Sequence, residues 1–211
     1  MHVGPQPYTR THNDHSMKII YFHGFASAGS TGTATMLRNV LYEKGIEVLS
    51  PDIPVMPAEA IAFLRSYVDE QKPDLIVGTS MGAMYAEQMR GIPRILVNPS
   101  FHMARLLTFR GMGRHPFRNK REDGAKDFKV DKEMIAQFKE VEKASFKGID
   151  SNEKELVWGL FGKNDKNVNC QPDFKKQYGT QHFQIFDGEH FLNDTVLKKA
   201  VLPVVRQILG L

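Results

Sequence analysis

Cysteine is nearly absent from this chain: of 211 residues, Cys170 is the only one. A lone thiol excludes an internal disulfide, and with no Cys or His partner at ligand spacing along the chain it argues against a structural zinc site. A reducing compartment is expected. Long apolar runs are missing as well. No stretch approaches the roughly 18 to 20 apolar residues that cross a bilayer, and the polar residues 1–16 lack the apolar run of a signal peptide. The expectation is a cytoplasmic protein with no membrane partner. Low-complexity tracts and internal repeats are also lacking. With 41% hydrophobic and 25% charged residues, the composition excludes disorder, collagen and coiled coil and fits one globular domain.

Charge of one sign is scarce except in one place. The net charge is +4 with a pI near 9.1. Residues 100–126 hold seven cations (Arg105, Arg110, Arg114, Arg118, Lys120, Arg121, Lys126) against Glu122 and Asp123, so the rest of the chain is close to neutral.

The apolar residues that are present recur in short runs. Lys18–Phe22 (KIIYF), Glu47–Ser50, Leu75–Val77 and Arg94–Val97 read as buried strands. Helices are expected between them, over Thr33–Glu43 with Gly45 as its C-terminal cap, Pro57–Glu70 and Gly82–Met89. Residues 100 to about 153 are too long for an ordinary connection and read as a cap insertion with a charged helix over Asp131–Lys143. The rhythm resumes with a strand over Glu155–Phe161, a short helix over Pro172–Tyr178, a strand over His182–Phe186 and a closing helix over Asn193–Leu209. Strands alternating with helices predict a three-layer α/β/α sandwich with a mainly parallel six-stranded sheet. Residues 1–16 read as a flexible extension before a single domain over 17–211.

Gly78-Thr79-Ser80-Met81-Gly82 matches G-x-S-x-G, the turn that lifts a serine above a strand-to-helix junction, where glycines are needed because the backbone bends sharply against its neighbours. A strand precedes the match and a helix follows it, which strengthens a motif that is weak alone. A serine hydroxyl is a poor nucleophile until a base takes its proton, so a histidine and an orienting acid should follow. Asp165 stands in the polar turn after the fifth core strand and His190 in the turn after the last. Both turns belong to the carboxyl edge of the sheet, where doubly wound folds collect their functional groups. Asp187 and Glu189 are rival acids, but they adjoin His190 in sequence and are poorly placed to face its Nδ1. Asp165 as a helix cap and His190 as a surface turn residue are the ordinary alternatives.

Two backbone N–H groups would hold the oxyanion of a tetrahedral intermediate: that of Met81, after the nucleophile, and that of Phe25, in the loop after the first strand. His23 and Gly24 belong to the same loop and stand as substrate-site candidates, with His23 better suited to buttressing the loop than to acid–base work. Phe25, Met81, Phe101, Met103, Leu106 and Leu107 are candidates to line an acyl pocket.

The motifs together resemble those of α/β-hydrolases, and more narrowly of the small YqiA/YcfP-type bacterial esterases. The resemblance rests on YFHGF at Tyr21–Phe25, PDIP at Pro51–Pro54, the Gly78–Gly82 turn, LVNPS at Leu96–Ser100, GKND at Gly162–Asp165 and GEHF at Gly188–Phe191. It covers about residues 17–211. It implies the α/β-hydrolase fold without the first two strands of its larger form, hydrolysis of acyl esters or thioesters, and Ser80, Asp165 and His190 as the triad. The family turn often reads S-S-L-G where this chain has Thr79–Gly82, and the basic segment lengthens the cap.

The expected function is therefore a serine hydrolase of small acyl esters or thioesters that needs neither metal nor organic cofactor. The alternative is a small-molecule binding protein that keeps the pocket without turnover. The basic cap segment suits a substrate bearing a carboxylate or phosphate, such as a coenzyme A thioester, although a solvated basic face is the commoner origin of such a cluster. Phe109 and Phe117 offer stacking surfaces there, yet no nucleic-acid motif accompanies them, and no nucleic-acid partner is expected.

Overall fold

The computed structural model describes residues 16–211, so the extension expected over residues 1–16 lies, apart from Ser16, outside the described residues. In chain order the strands are β1 (Lys18–Phe22), β2 (Glu47–Leu49), β3 (Leu75–Thr79), β4 (Arg94–Val97), β5 (Gly113–Pro116), β6 (Asp127–Val130), β7 (Val157–Gly162) and β8 (Phe183–Phe186). The helices are α1 (Gly32–Tyr42), α2 (Pro57–Gln71), α3 (Met81–Glu87), α4 (Met103–Arg110), α5 (Lys132–Glu142), α6 (Ser151–Leu156), α7 (Gln171–Tyr178), α8 (Asp194–Val196) and α9 (Leu202–Leu209). Six strands form one parallel sheet in the order β2-β1-β3-β4-β7-β8. The chain leaves β1 toward β2 on one side and returns to β3 on the other, which opens a crevice between β1 and β3 at their carboxyl ends.

Strand side chains alternate between the faces, so each central strand feeds two cores. Ile19 and Tyr21, Leu75 and Val77, Ile95 and Val97, and Trp158 and Leu160 pack with α1 and the closing helices. Ile20 and Phe22, Ile76, Leu96, Val157 and Phe161 pack with α2, α3 and α7. The second core runs without a break into the inserted segment through Phe128, Val130, Met134, Phe138 and Val141. The cap is therefore anchored to the body, with α5 against both α2 and α4.

Several expected boundaries move. The insertion holds α4 and the antiparallel β5–β6 hairpin besides its charged helix, whose start is fixed by Asp131 accepting from the Met134 N–H. Glu155 and Leu156 end α6 instead of starting β7, because the Asp150 carboxylate accepts from the Glu153 N–H and nucleates a helix there. The closing helix is interrupted by a π-helical stretch over Leu197–Val201. Pro203 follows at once; its ring would meet the carbonyl four residues back in a regular helix, and the wider turn avoids this. No helix among the described residues is long and apolar enough to cross a membrane.

Candidate functional site

Ser80 sits where β3 turns into α3, at φ 54° and ψ −117°. A non-glycine residue in that region is strained, and the surroundings hold it there. Its carbonyl accepts from the Ala83 and Ser100 N–H groups, both at 3.1 Å, while its own N–H donates to the Val97 carbonyl at 3.0 Å. The flanking glycines are required sterically. A Cβ on Gly78 would lie 2.7 Å from the Ala83 Cα, and one on Gly82 would lie 2.6 Å from the His23 carbonyl oxygen and still nearer that of Phe22. Helix α3 thus presses directly on the end of β1.

The turns after β7 and β8 bring Asp165 and His190 to the same edge. The Ser80 hydroxyl donates to His190 Nε2 at 2.9 Å, and His190 Nδ1–H donates to Asp165 Oδ2 at 2.7 Å. The His190 and Asp165 side chains are only 7% and 5% exposed. Burial alone would raise the Asp165 carboxyl. The His190 imidazole and the Val168 and Asn167 N–H groups outweigh burial and hold it below its ordinary range. Asp165 Oδ1 takes those two amides at 3.0 and 2.8 Å, which leaves Oδ2 for the histidine. Of the rival acids, Asp187 hydrogen-bonds Asn164 instead.

Asn98 had no assigned role in the sequence, and the structure gives it one. It follows β4 at φ 45°, nearly fully buried, and joins the two turns. Its Nδ2 donates to the carbonyls of Glu189 at 2.9 Å and His190 at 3.0 Å, while its Oδ1 accepts from the Gly162 N–H at 2.7 Å. The signal was the Asn-Pro pair within LVNPS directly after a strand.

The loop after β1 passes close to the nucleophile: a Cβ on Gly24 would lie 3.5 Å from Ser80 Cβ. Met81 is the first residue of α3, so its N–H has no acceptor within the helix. The Phe25 ring points into the cap against Phe128 and Phe138, at centroid distances of 5.1 and 6.5 Å. His23 does not reach the cleft. Its Nε2 accepts from the Ile53 N–H at 3.0 Å and its Nδ1–H donates to the Gly24 carbonyl at 2.9 Å. Burial lowers its pKa to about 4, so it stays a neutral staple. The expectation that His23 touches substrate is corrected, since both ring nitrogens are spent on backbone. Asp52 adds a second staple, accepting from Gly29 and Glu122, each at 2.7 Å.

Above Ser80 and His190 opens a cleft of about 200 Å³. Of the candidates, Gly24, Phe25, Met103 and Leu106 line it, joined by Phe191, Leu192, Arg110 and Arg118. Met81, Phe101 and Leu107 do not. Leu107, one turn on from Met103, is turned into the core, and Phe101 packs edge-on against Phe146 at 4.6 Å. The cleft also carries hydroxyls, those of Tyr21 and Thr79, hydrogen-bonded to each other at 2.8 Å, and of Thr31 and Thr33.

The fold gives Cys170 neighbours that its place in the chain conceals. His102 Nε2, Cys170 Sγ and a carboxylate oxygen of Asp173 lie within 4.8 Å of one another. They supply three donors, one fewer than a closed tetrahedral site uses, and burial pushes the thiol up to about 12. His102 and Asp173 pair with each other at 3.3 Å.

Comparison with known proteins places this architecture. Residues 18–199 match an uncharacterised protein family, UPF0227. Among solved structures, Est1E from Butyrivibrio proteoclasticus aligns with a TM-score of 0.62 at 15% identity, over 92% of this chain and 89% of its own. Alpha/beta hydrolase domain-containing protein 10 from mouse aligns at 0.63 with 14% identity, over 92% and 89%. A soluble variant of monoglyceride lipase from Saccharomyces cerevisiae aligns at 0.60 with 13% identity, over 95% and 88%. The fold is that of the α/β-hydrolases.

Proposed function

The chain belongs to the family UPF0227, and from the arrangement around Ser80 we propose that it is a serine hydrolase of small acyl esters or thioesters. The observation that carries this reading is the continuous hydrogen-bond relay from Ser80 through His190 to Asp165, on a strained turn between β3 and α3. Ser80 Oγ attacks the acyl carbonyl carbon while its proton passes to His190 Nε2. Asp165 holds the imidazole in the tautomer that can accept that proton and stabilises the imidazolium formed. The oxyanion takes the N–H groups of Met81 and Phe25. Collapse breaks the bond to the leaving oxygen or sulfur, which takes the proton from His190. Water then attacks the acyl-serine with His190 as base, and the acid is released. The reading needs no metal and no organic cofactor.

Fluorophosphonate labelling with the modified residue mapped by mass spectrometry tests it. Labelling at Ser80, lost in Ser80→Ala, is expected, together with hydrolysis of para-nitrophenyl esters. Folded protein that neither labels nor hydrolyses would refute the reading in favour of a binding protein that keeps the cleft without turnover.

A further inference from the structure

The fold sorts the cations of the cap. Arg114 pairs with Asp127 across the β5–β6 hairpin, and Arg121 is buried beside Asp52 and Asp123. Arg110 and Arg118 have no carboxylate partner among the described residues, and both line the cleft that holds Ser80 and His190. Arg110 donates to Asn167 Oδ1 at 3.1 Å. It continues the line of Met103 and Leu106 along one face of α4, and from residue 103 to residue 110 that line runs about 10 Å. Arg118 comes from the segment after β5. Its guanidinium lies 4.6 Å from the centroid of Phe191, the residue next to His190. Three bonds tie its segment to the loop after β1: Arg118 N–H to the Ala26 carbonyl at 2.8 Å, Ser27 to Asn119 at 2.8 Å, and Ser30 to the Lys120 carbonyl at 2.6 Å. A guanidinium stacked on a ring keeps its N–H edge free for an anion.

We propose that Arg110 and Arg118 form an anion subsite of this cleft, selecting esters or thioesters that carry a carboxylate or phosphate a few atoms from the scissile carbonyl. This rests on the serine-hydrolase reading. Met103 and Leu106 accept the short apolar link, and the two guanidinium groups bind the charge at its end.

The test compares kcat/KM for matched esters. Mono-para-nitrophenyl glutarate against para-nitrophenyl valerate places the charge on the acyl side. Meta-(butyryloxy)benzoate and meta-(butyryloxy)phenyl phosphate against phenyl butyrate place it on the leaving group and separate carboxylate from phosphate. At least one charged ester should be preferred by about tenfold or more, a figure discounted for two exposed cations. That ratio should fall toward one in the Arg110→Gln/Arg118→Gln double variant and persist in Arg114→Gln. In the unaltered protein it should also shrink as ionic strength rises. Turnover of the neutral esters with no charged one preferred, or a preference that survives the double variant or is indifferent to salt, would overturn the subsite alone. No turnover of any ester and no Ser80 labelling would overturn the hydrolase reading with it.

Discussion

Replacing Asn98 by alanine removes three hydrogen bonds at once, two that hold the carbonyls of Glu189 and His190 and one that satisfies the Gly162 N–H. Each such bond, that of the buried Gly162 amide included, contributes about 1 kcal/mol net. Alanine also tolerates the left-handed backbone poorly, at about 1 kcal/mol. The expected loss is therefore about 4 kcal/mol in urea unfolding. Asn98→Gly removes the same bonds without the backbone penalty and should lose about 3 kcal/mol. Asn98→Asp keeps the acceptor for Gly162 but points an oxygen at two carbonyls, so it should be no milder than the alanine. Hydrolysis should suffer beyond stability, because a displacement of about 1 Å at His190 costs on the order of a hundredfold in turnover. Urea denaturation with a para-nitrophenyl ester assay on the folded variants checks both. Asn98→Ala unfolding within about 0.5 kcal/mol of the parent, at unchanged kcat, would refute the reasoning.

Asp165→Asn should reduce kcat by about four orders of magnitude, because its amide can satisfy the histidine or the Asn167 and Val168 N–H groups but not both; a loss under tenfold in steady-state assays would reassign the acid. His23 is neutral in the fold with a pKa near 4 against 6.5 when free, the burial being aided by Arg121 and opposed by Asp52. The unfolded chain therefore binds the extra proton between those values, so stability present above pH 6.5 falls by about 3 kcal/mol as pH drops to 4. Urea midpoints across that window, compared with His23→Gln, check this; equal slopes would count against the staple. Gly82→Ala should prevent folding or abolish Ser80 labelling, since its Cβ overlaps the backbone at the end of β1; a folded variant that labels normally would contradict the close approach.

Ser80, Asp165 and His190 were legible in the sequence because each stands in a polar turn directly after an apolar strand, and parallel strands deliver such turns to one edge. The central sheet was legible for the same reason, since strands buried on both faces leave apolar runs with little ambiguity. The β5–β6 hairpin was not. Gly113–Pro116 is half exposed and holds a glycine, two basic residues and a proline, so no apolar alternation announces it. Leu107 and Leu106 are chemically alike, and only the rotation of α4 decides that one faces the core and the other the cleft. His23 was placed correctly in the loop yet carried as a substrate contact, because its two backbone partners lie at Gly24 and, thirty residues on, at Ile53, where no local pattern records them. The cluster at Cys170 escaped for a similar reason: His102, just before α4, is separated from Cys170 and Asp173 in the chain by the whole inserted segment.

His190, the proposed general base, hangs from the turn after β8, an edge strand of the sheet. β8 pairs with β7 alone, and its side chains are among the less covered of the sheet, with Ile185 54% exposed. Edge strands open at lower free energy than the interior of the sheet. When β8 frays, the turn after it moves and Ser80 loses its proton acceptor while both cores remain packed. Activity should then vanish at a lower urea concentration than the helical signal, making catalysis a reporter of one strand's docking and leaving most of the molecule intact to regain function once that strand returns.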